Sequence, residues 1–224
     1  MTDNDEAIKA RAHWVVTIHP NEFVPDRVPY SDLEHLLTSA VVRLRGWPLP
    51  FIDYGAIQRG SDWIGGDGAG KGSPHKEGWR FFTTGQFAHL SAVSSDWGEG
   101  AASSGAASVI AVWEVLFYVT EVFELATRLA VGPAGAEVMA VALTLHHMND
   151  RQLVVGQPHR AEFSHPMRSA SPSHSETRSL ERSHLVARPR ELAAEVAREF
   201  FLRFGWTPAL EQLIDHQQEL LGGR

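Results

Sequence analysis

The segment VIAVWEVLFYVTEVFELATRLAV, residues 109–131, decides the fold because apolar side chains cover most of a helical circumference. The pattern predicts one buried helix of about six turns. Its few polar side chains are spaced so that four of them share one stripe: Glu114, Tyr118, Glu121 and Arg128. Three carboxylates and an arginine would each cost about 2.5–3.5 kcal/mol near a bilayer centre. We therefore expect the core helix of a soluble protein without membrane contact.

Composition narrows the class of protein. With 224 residues, 43% apolar content, seven Trp and eleven Phe, the chain can bury a substantial core within one domain. Its net charge of −7 disfavours direct nucleic-acid binding, which depends on cationic contacts to phosphates. The absence of cysteine excludes disulfides and thiolate chemistry. The acidic start MTDNDEAIKAR differs from a signal peptide, so we expect a cytoplasmic protein.

Periodicity and turn residues predict the other elements. Before the central helix they are a linker or frayed helix (1–12), a strand (13–19), a helix opened by a capping box (31–45), an extended lead-in (46–54), an irregular region (55–78), an aromatic hairpin (79–83 and 87–93) and a flexible connection (98–105). After it they are a second hairpin (138–146 and 151–155), a serine-rich excursion or edge strand (168–183) and two helices (189–204 and from 207).

This order lacks the regular alternation of strands and helices that produces a parallel doubly wound sheet. We predict a single α+β domain over residues 13–224. Its sheet should be mainly antiparallel, with the long buried helix on one face and a C-terminal helical pair completing the core.

Two apparent ligand motifs fail on their context. Gly65–Gly72 resembles a phosphate-binding loop, but Gly72 replaces the required hydroxyl residue and Ser73-Pro74 cannot open the necessary helix, so a surface loop is favoured. The twelve histidines include the neighbours His146 and His147, which would point to opposite faces of a strand. His159, Glu162 and His165 would converge only on a suitably bent backbone. We predict no metal and no cofactor.

Glu114 and Glu121 are the candidate catalytic residues, because burial on one helix would raise a carboxyl pKa towards a catalytic range. The competing interpretation is that both form structural ion pairs with an arginine from a neighbouring element: Arg80, Arg151 or Arg160. That interpretation is favoured, since no nucleophile or oxyanion motif accompanies the two acids.

The aromatic hairpin is the candidate binding surface. It places five residues of the types common at interface hot spots within nine positions: Trp79, Arg80, Phe81, Phe82 and Phe87. Strand alternation puts Trp79 and Phe81 on one side and Arg80 with Phe82 on the other. If helices cover both faces of the sheet, all five side chains are buried. If one face is open, the side chains on that face are available to a partner. For a small ligand, we expect a pocket built from Trp63, Trp79, Phe81 and Trp97.

Six segments carry a family resemblance. They look like the C-terminal region of bacterial proteins whose N-terminal Schlafen AlbA-like domain is described as ATP-binding, and which are usually described as transcriptional regulators or helix-turn-helix proteins. The segments are RLRGWPLPFID (43–53), DWIGGD (62–67), GWRFFTTGQFAHL (78–90), VWEVLFYVTEVFELATRLA (112–130), RQLVVGQ (151–157) and FFLRFGWTP (200–208). The AlbA-like module has no counterpart in these residues, so the resemblance implies an accessory domain preceded by a linker at 1–12.

Three classes of function follow. The favoured one is a non-catalytic sensor or protein-interaction domain that works with an effector in bacterial regulation or phage defence, by binding a protein partner or by self-association. The second is a small-ligand-binding domain with an aromatic pocket. The third is a carboxylate-dependent hydrolase or nuclease that uses Glu114 and Glu121.

Overall fold

The computed structural model describes residues 2–69, 75–97, 108–157 and 160–222. Its helices are α1 (Asp3–Lys9), α2 (Leu33–Ala40), α3 (Val112–Val131), α4 (Arg182–Ala187), α5 (Pro189–Leu202) and α6 (Leu210–Gly222). Its strands are β1 (His13–Pro20), β2 (Gln58–Arg59), β3 (Trp63–Ala69), β4 (Lys76–Phe82), β5 (Phe87–Ala92), β6 (Val109–Ala111), β7 (Val138–His146), β8 (Gln152–Val154), β9 (Met167–Arg168) and β10 (Ser173–Glu181).

Seven strands form one antiparallel sheet in the order β10-β7-β1-β5-β4-β3-β2. A smaller sheet, β6-β8-β9, contains the parallel pair β6 and β8. The predicted α+β class, the mainly antiparallel sheet and the C-terminal helical pair are confirmed.

The two faces of the large sheet differ in composition. Its inner face carries apolar side chains such as Trp14 of β1, whose ring contacts Tyr118 of α3 and Phe200 of α5 at 5.2 and 4.8 Å between centroids. Its outer face carries smaller and more polar side chains, for example Thr144 of β7 beside Ser175 of β10. Among the described helices, α1 alone packs on the outer face, against β4 and β5.

The predicted central helix is confirmed as α3, although residues 109–111 form strand β6 before it. Its side chains are buried around nearly the whole circumference, including the polar Glu114, Tyr118 and Glu121. Among the described residues, no helix combines the length and the apolar content that a bilayer crossing requires.

Residues 3–9, within the segment expected to be a linker or a frayed helix, form the capped helix α1. The Thr2 side chain accepts a hydrogen bond from the Asp5 amide, and the Asp5 carboxylate accepts one from the Thr2 amide. Ile8 is fully buried, so α1 is anchored by apolar contact as well as by its cap.

The helix predicted for residues 31–45 is shorter than expected. It ends at Ala40, and the predicted capping hydrogen bond from its first turn is absent. Val41 turns into an extended conformation, and Val42 pairs with Leu49 across a short loop. Arg45 therefore lies outside α2, and its side chain reaches Glu121 of α3.

The region 55–78 was predicted to be irregular, and this prediction is wrong: it contains β2, β3 and the start of β4. Its glycines suggested a loop, but they permit close packing of the sheet. A Cβ at Gly65 would lie 2.7 Å from the Trp79 carbonyl oxygen, and one at Gly66 would lie 2.9 Å from Trp79 Nε1. The first part of the phosphate-loop-like motif, Gly65 to Ala69, is therefore strand β3; the rest lies outside the described residues.

The second predicted hairpin is also wrong, because β8 pairs with β6 and β9 while β7 pairs with β1 and β10. His147 and Asp150 adopt left-handed backbone conformations between the two segments. The buried Arg151 follows and donates hydrogen bonds from Nη1 and Nη2 to Asp96, at 2.9 and 2.7 Å. The serine-rich region does include an extended edge strand, β10, and the predicted flexible connection 98–105 lies outside the described residues.

Candidate functional site

The outer face of the sheet presents an arginine stacked on a tryptophan. Arg80 of β4 and Trp63 of β3 lie on this face, with the guanidinium carbon 4.4 Å from the centre of the indole ring. Phe82 follows on the same side of β4, directly opposite Trp63. All three side chains are partly exposed, so the face offers a cation and two aromatic rings to a partner.

A groove continues this surface towards α1. It has a volume of about 240 Å³, and its floor includes Val15 and Leu90. Asp5 and Lys9 of α1 and Arg80 of β4 supply its charged groups. An apolar floor with a charged border is the arrangement that receives an apolar side chain of a protein partner.

Three of the predicted binding residues lie in the hydrophobic core instead. Trp79, Phe81 and Phe87 are each at most 2% exposed and point to the inner face. The Trp79 indole N–H donates to the Phe51 carbonyl oxygen at 2.9 Å, which fixes the ring within the fold. Their side chains cannot contact a partner in this structure, and the hairpin divides between the two faces as strand alternation requires.

The expected aromatic pocket is not assembled. Trp79 and Phe81 are buried, Trp63 lies on the outer face, and Trp97 contacts two cations. The Arg11 guanidinium carbon and the Lys76 ammonium nitrogen are 4.2 and 4.8 Å from the centre of the Trp97 ring.

A buried polar cluster lies under the inner face, formed by Glu77 of β4, His89 of β5 and Tyr118 of α3. His89 Nδ1 is 2.9 Å from the Tyr118 hydroxyl, and His89 Nε2 is 3.5 Å from the Glu77 carboxylate. At 3.5 Å the second contact is too long for a good hydrogen bond, and His89 Nε2 has no other partner in the described structure. Burial raises the pKa of Tyr118, and Glu77 raises it further, so the phenol stays neutral.

The segment 46–54 covers this cluster. The Phe51 amide donates to the Glu77 carboxylate, and Trp47 stacks on Phe51 with 4.7 Å between ring centroids.

Glu121 has a structural partner that sequence reasoning did not identify. Its fully buried carboxylate accepts hydrogen bonds from Arg45 Nε at 2.8 Å and from the Leu44 amide at 3.3 Å, and Arg45 Nη2 lies 2.6 Å away. Burial raises the pKa of Glu121, while the Arg45 charge acts in the opposite direction. Because both oxygens are engaged inside the protein, the geometry favours a structural role.

Within the part of the chain that the structure describes, Glu114 pairs with no arginine, so that expectation is wrong. One of its oxygens accepts from the Ser94 amide at 2.9 Å and from the Ser94 hydroxyl at 2.7 Å. Of the expected arginine partners, Arg151 binds Asp96 and Arg160 binds Glu219. Glu114 and Glu121 therefore have different partners and do not form one paired-carboxylate site.

The signal for the buried polar cluster was present in the strand alternation. Glu77 is two residues from Trp79 and four from Phe81, and His89 is two residues after Phe87. Residues at this spacing share one face of a strand, so Glu77 and His89 both belong to the core face. The polar stripe on α3 already contained Tyr118. Combining the three patterns predicts polar residues meeting inside the core, although it does not predict their hydrogen bonds.

The histidines do not gather into a metal site within the described residues. His13 stacks on His146 at 4.7 Å between centroids, but His13 Nδ1 bonds the Arg11 carbonyl oxygen and His147 Nε2 bonds that of Lys9. Burial lowers the pKa of His13 and of His146. Hydrogen bonds to backbone carbonyl oxygens therefore fix the rings of His13 and His147.

A separate cavity of about 300 Å³ lies between α6 and the segment that precedes β9. The Phe163 and Trp206 rings, 5.2 Å apart, contribute to its wall. His216 is buried there and lies 3.0 Å from the Gln157 side-chain oxygen. Burial lowers the pKa of His216, which favours the neutral imidazole, and Arg160 and Gln212 add further polar groups to the lining.

Comparison with known proteins gave no match to any family model, curated protein or solved structure.

Proposed function

We propose that this chain is a non-catalytic interaction domain that binds a protein partner through the outer face of its large sheet. The observation that supports this is the position of Trp63, Arg80 and Phe82, partly exposed on a face that the long helices do not cover. Exposed aromatic residues beside arginine are typical of interface hot spots. The groove beside Arg80 would receive an apolar side chain of the partner.

The biological setting is proposed from the sequence resemblance. We place the domain in the bacterial cytoplasm, as an accessory to an effector of regulation or phage defence, in the manner of the region that follows a Schlafen AlbA-like domain. The engagement of Glu114 by Ser94 and of Glu121 by Arg45 supports a non-catalytic role.

The experiment compares wild type with Arg80→Ala and Phe82→Ala. Each tagged protein captures proteins from the native host, and the proteins lost in both variants are purified and tested for direct binding. We expect a partner that binds wild type and binds the variants weakly, while the melting temperature stays nearly constant. Variants that unfold more easily but bind normally when folded would assign these residues to the fold instead.

A second candidate is small-ligand binding at the cavity beside Phe163 and Trp206, since its volume lies at the lower end of the range of known ligand pockets. Titration with 1-anilinonaphthalene-8-sulfonate tests whether the cavity admits an aromatic ligand. Fluorescence enhancement that is lost in Trp206→Ala supports this candidate, and enhancement that is unchanged in Trp206→Ala contradicts it.

A further inference from the structure

Strand β10 leaves a long hydrogen-bonding edge at one side of the large sheet. Its nine residues, Ser173–Glu181, pair with β7 on one side. The Arg182 amide continues that ladder to the Glu137 carbonyl oxygen, so even-numbered residues of β10 face β7. The odd-numbered residues direct their amides and carbonyls outward, and within the described ranges none of these groups bonds another backbone group: Ser173, Ser175, Thr177, Ser179 and Glu181.

The sequence of this edge is complementary to itself. In an antiparallel copy centred on Thr177, each Glu176 lies opposite the partner's Arg178, and each Ser175 lies opposite a Ser179. The outward-directed residues meet one another, as a hydrogen-bonded antiparallel ladder requires. Opposite charges across two strands stabilise this register, whereas many other registers would lose the pairing.

We propose that two copies of this chain associate through β10, joining their large sheets into one continuous antiparallel sheet. This goes beyond the proposed partner surface, which lies on the outer face near β3 and β4 at the other end of the sheet.

The largest inward-facing ring near this edge lies away from the junction. Phe200 of α5 contacts Trp14 of β1 and His174 of β10, at 4.8 and 5.1 Å between centroids, so its ring lies above the intervening strand β7. In the joined sheet, three strand spacings, or about 14 Å, would separate the two copies of this ring. The side chains of Glu176 and Arg178 lie on the inner face at the junction itself.

The charges on β10 also explain how the edge is kept from unspecific pairing. Within one chain, Glu176 contacts Arg178 at 2.7 Å and His174 at 2.8 Å. Inward-pointing charges on an edge strand oppose pairing with a strand of unrelated sequence. A second copy presents the reverse charge order, so each Glu176 meets an arginine and each Arg178 meets a glutamate across the junction.

The test is the mass of the full chain in solution, measured by sedimentation equilibrium for wild type and for two charge variants. Wild type should show twice the 24.8 kDa of one chain. Glu176→Arg places arginines opposite each other and Arg178→Glu places glutamates opposite each other, so each variant alone should be monomeric. An equimolar mixture should form dimers again, because each arginine of one variant then faces a glutamate of the other.

Thr177→Pro provides a second test that leaves the charges in place. The Thr177 amide points away from β7, so proline removes an intermolecular hydrogen bond without removing one from the ladder with β7. We expect a monomer with the circular dichroism spectrum of wild type. A wild type that is monomeric at its highest soluble concentration, or a Thr177→Pro variant that stays dimeric, overturns the proposal.

Discussion

The guanidinium of Arg45 lies 2.6 Å from the carboxylate of Glu121, whose side chain is fully buried in the middle of α3. Removing one member of such a pair leaves an uncompensated charge inside the protein. We therefore expect Arg45→Ala to lower the free energy of unfolding by about 3–5 kcal/mol in urea titrations.

The matched control for this prediction is Arg59→Ala. Arg59 also lies 2.6 Å from a glutamate, Glu34, but both side chains are exposed. Its removal should change stability little. Similar losses in the two variants would contradict the assignment of Arg45 as the support of a buried charge.

The Tyr118 hydroxyl should contribute measurably to the free energy of unfolding. Tyr118→Phe keeps the ring but leaves His89 Nδ1 without its 2.9 Å partner inside the core. A buried polar group without a partner costs about 1–3 kcal/mol, so chemical denaturation should show a loss of that size. Tyr54→Phe, at a side chain that is 63% exposed, should be neutral. If the two substitutions have equal effects, the hydrogen bond contributes nothing.

The glycine pair in β3 should tolerate no side chain. In Gly65→Ala the new methyl would lie 2.7 Å from the Trp79 carbonyl oxygen, so the backbone of β3 or β4 must move. We expect a loss of about 1–3 kcal/mol, the usual cost of overpacking. Gly222→Ala meets no atom within 4 Å and provides the control. A Gly65→Ala protein with the wild-type melting temperature would show that the strands are not closely packed.

Acidification should destabilise the fold through its buried histidines. Burial is the largest influence on the pKa of His13 and lowers it from 6.5, so the unfolded chain takes up a proton at a higher pH than the folded chain does. The stability contributed by neutral His13 is therefore complete above pH 6.5. It is lost as the pH falls towards the pKa that His13 has in the folded protein.

His13→Asn tests this pH dependence, because an amide can keep the hydrogen bond to the Arg11 carbonyl oxygen but cannot titrate. The difference in unfolding free energy between wild type and variant should be constant above pH 7 and should change in favour of the variant below pH 6.5. A difference that is the same at pH 8 and pH 5 would rule out His13 as a source of the dependence.

The central helix and the first hairpin were predictable from sequence because their patterns are local. The apolar circumference of α3 and the alternation through β4 and β5 reflect burial directly. The division of Arg80 and Phe82 from Trp79 and Phe81 also followed from alternation alone. The sequence thus predicted which of these residues share a face of the sheet, but only the structure shows which face is buried.

Long-range contacts explain the elements that sequence did not predict. Nothing near Ala40 indicates that α2 must end there, because the group that needs Arg45 is a carboxylate 76 residues later in the chain. The residues after β7 likewise make a contact that is distant in sequence, because Arg151 binds Asp96. In β3, glycines that usually indicate a loop were required by the neighbouring Trp79.

Binding through the outer face of the sheet is tested most directly by a calorimetric titration of the purified partner into wild type, Arg80→Ala and the control Arg59→Ala. Because arginine and aromatic residues dominate interface energies, Arg80→Ala should weaken binding about tenfold or more. Arg59→Ala should bind as wild type does, and all three proteins should melt at nearly the same temperature. An Arg80→Ala protein that binds its partner with the wild-type affinity would contradict binding through the outer face of the sheet.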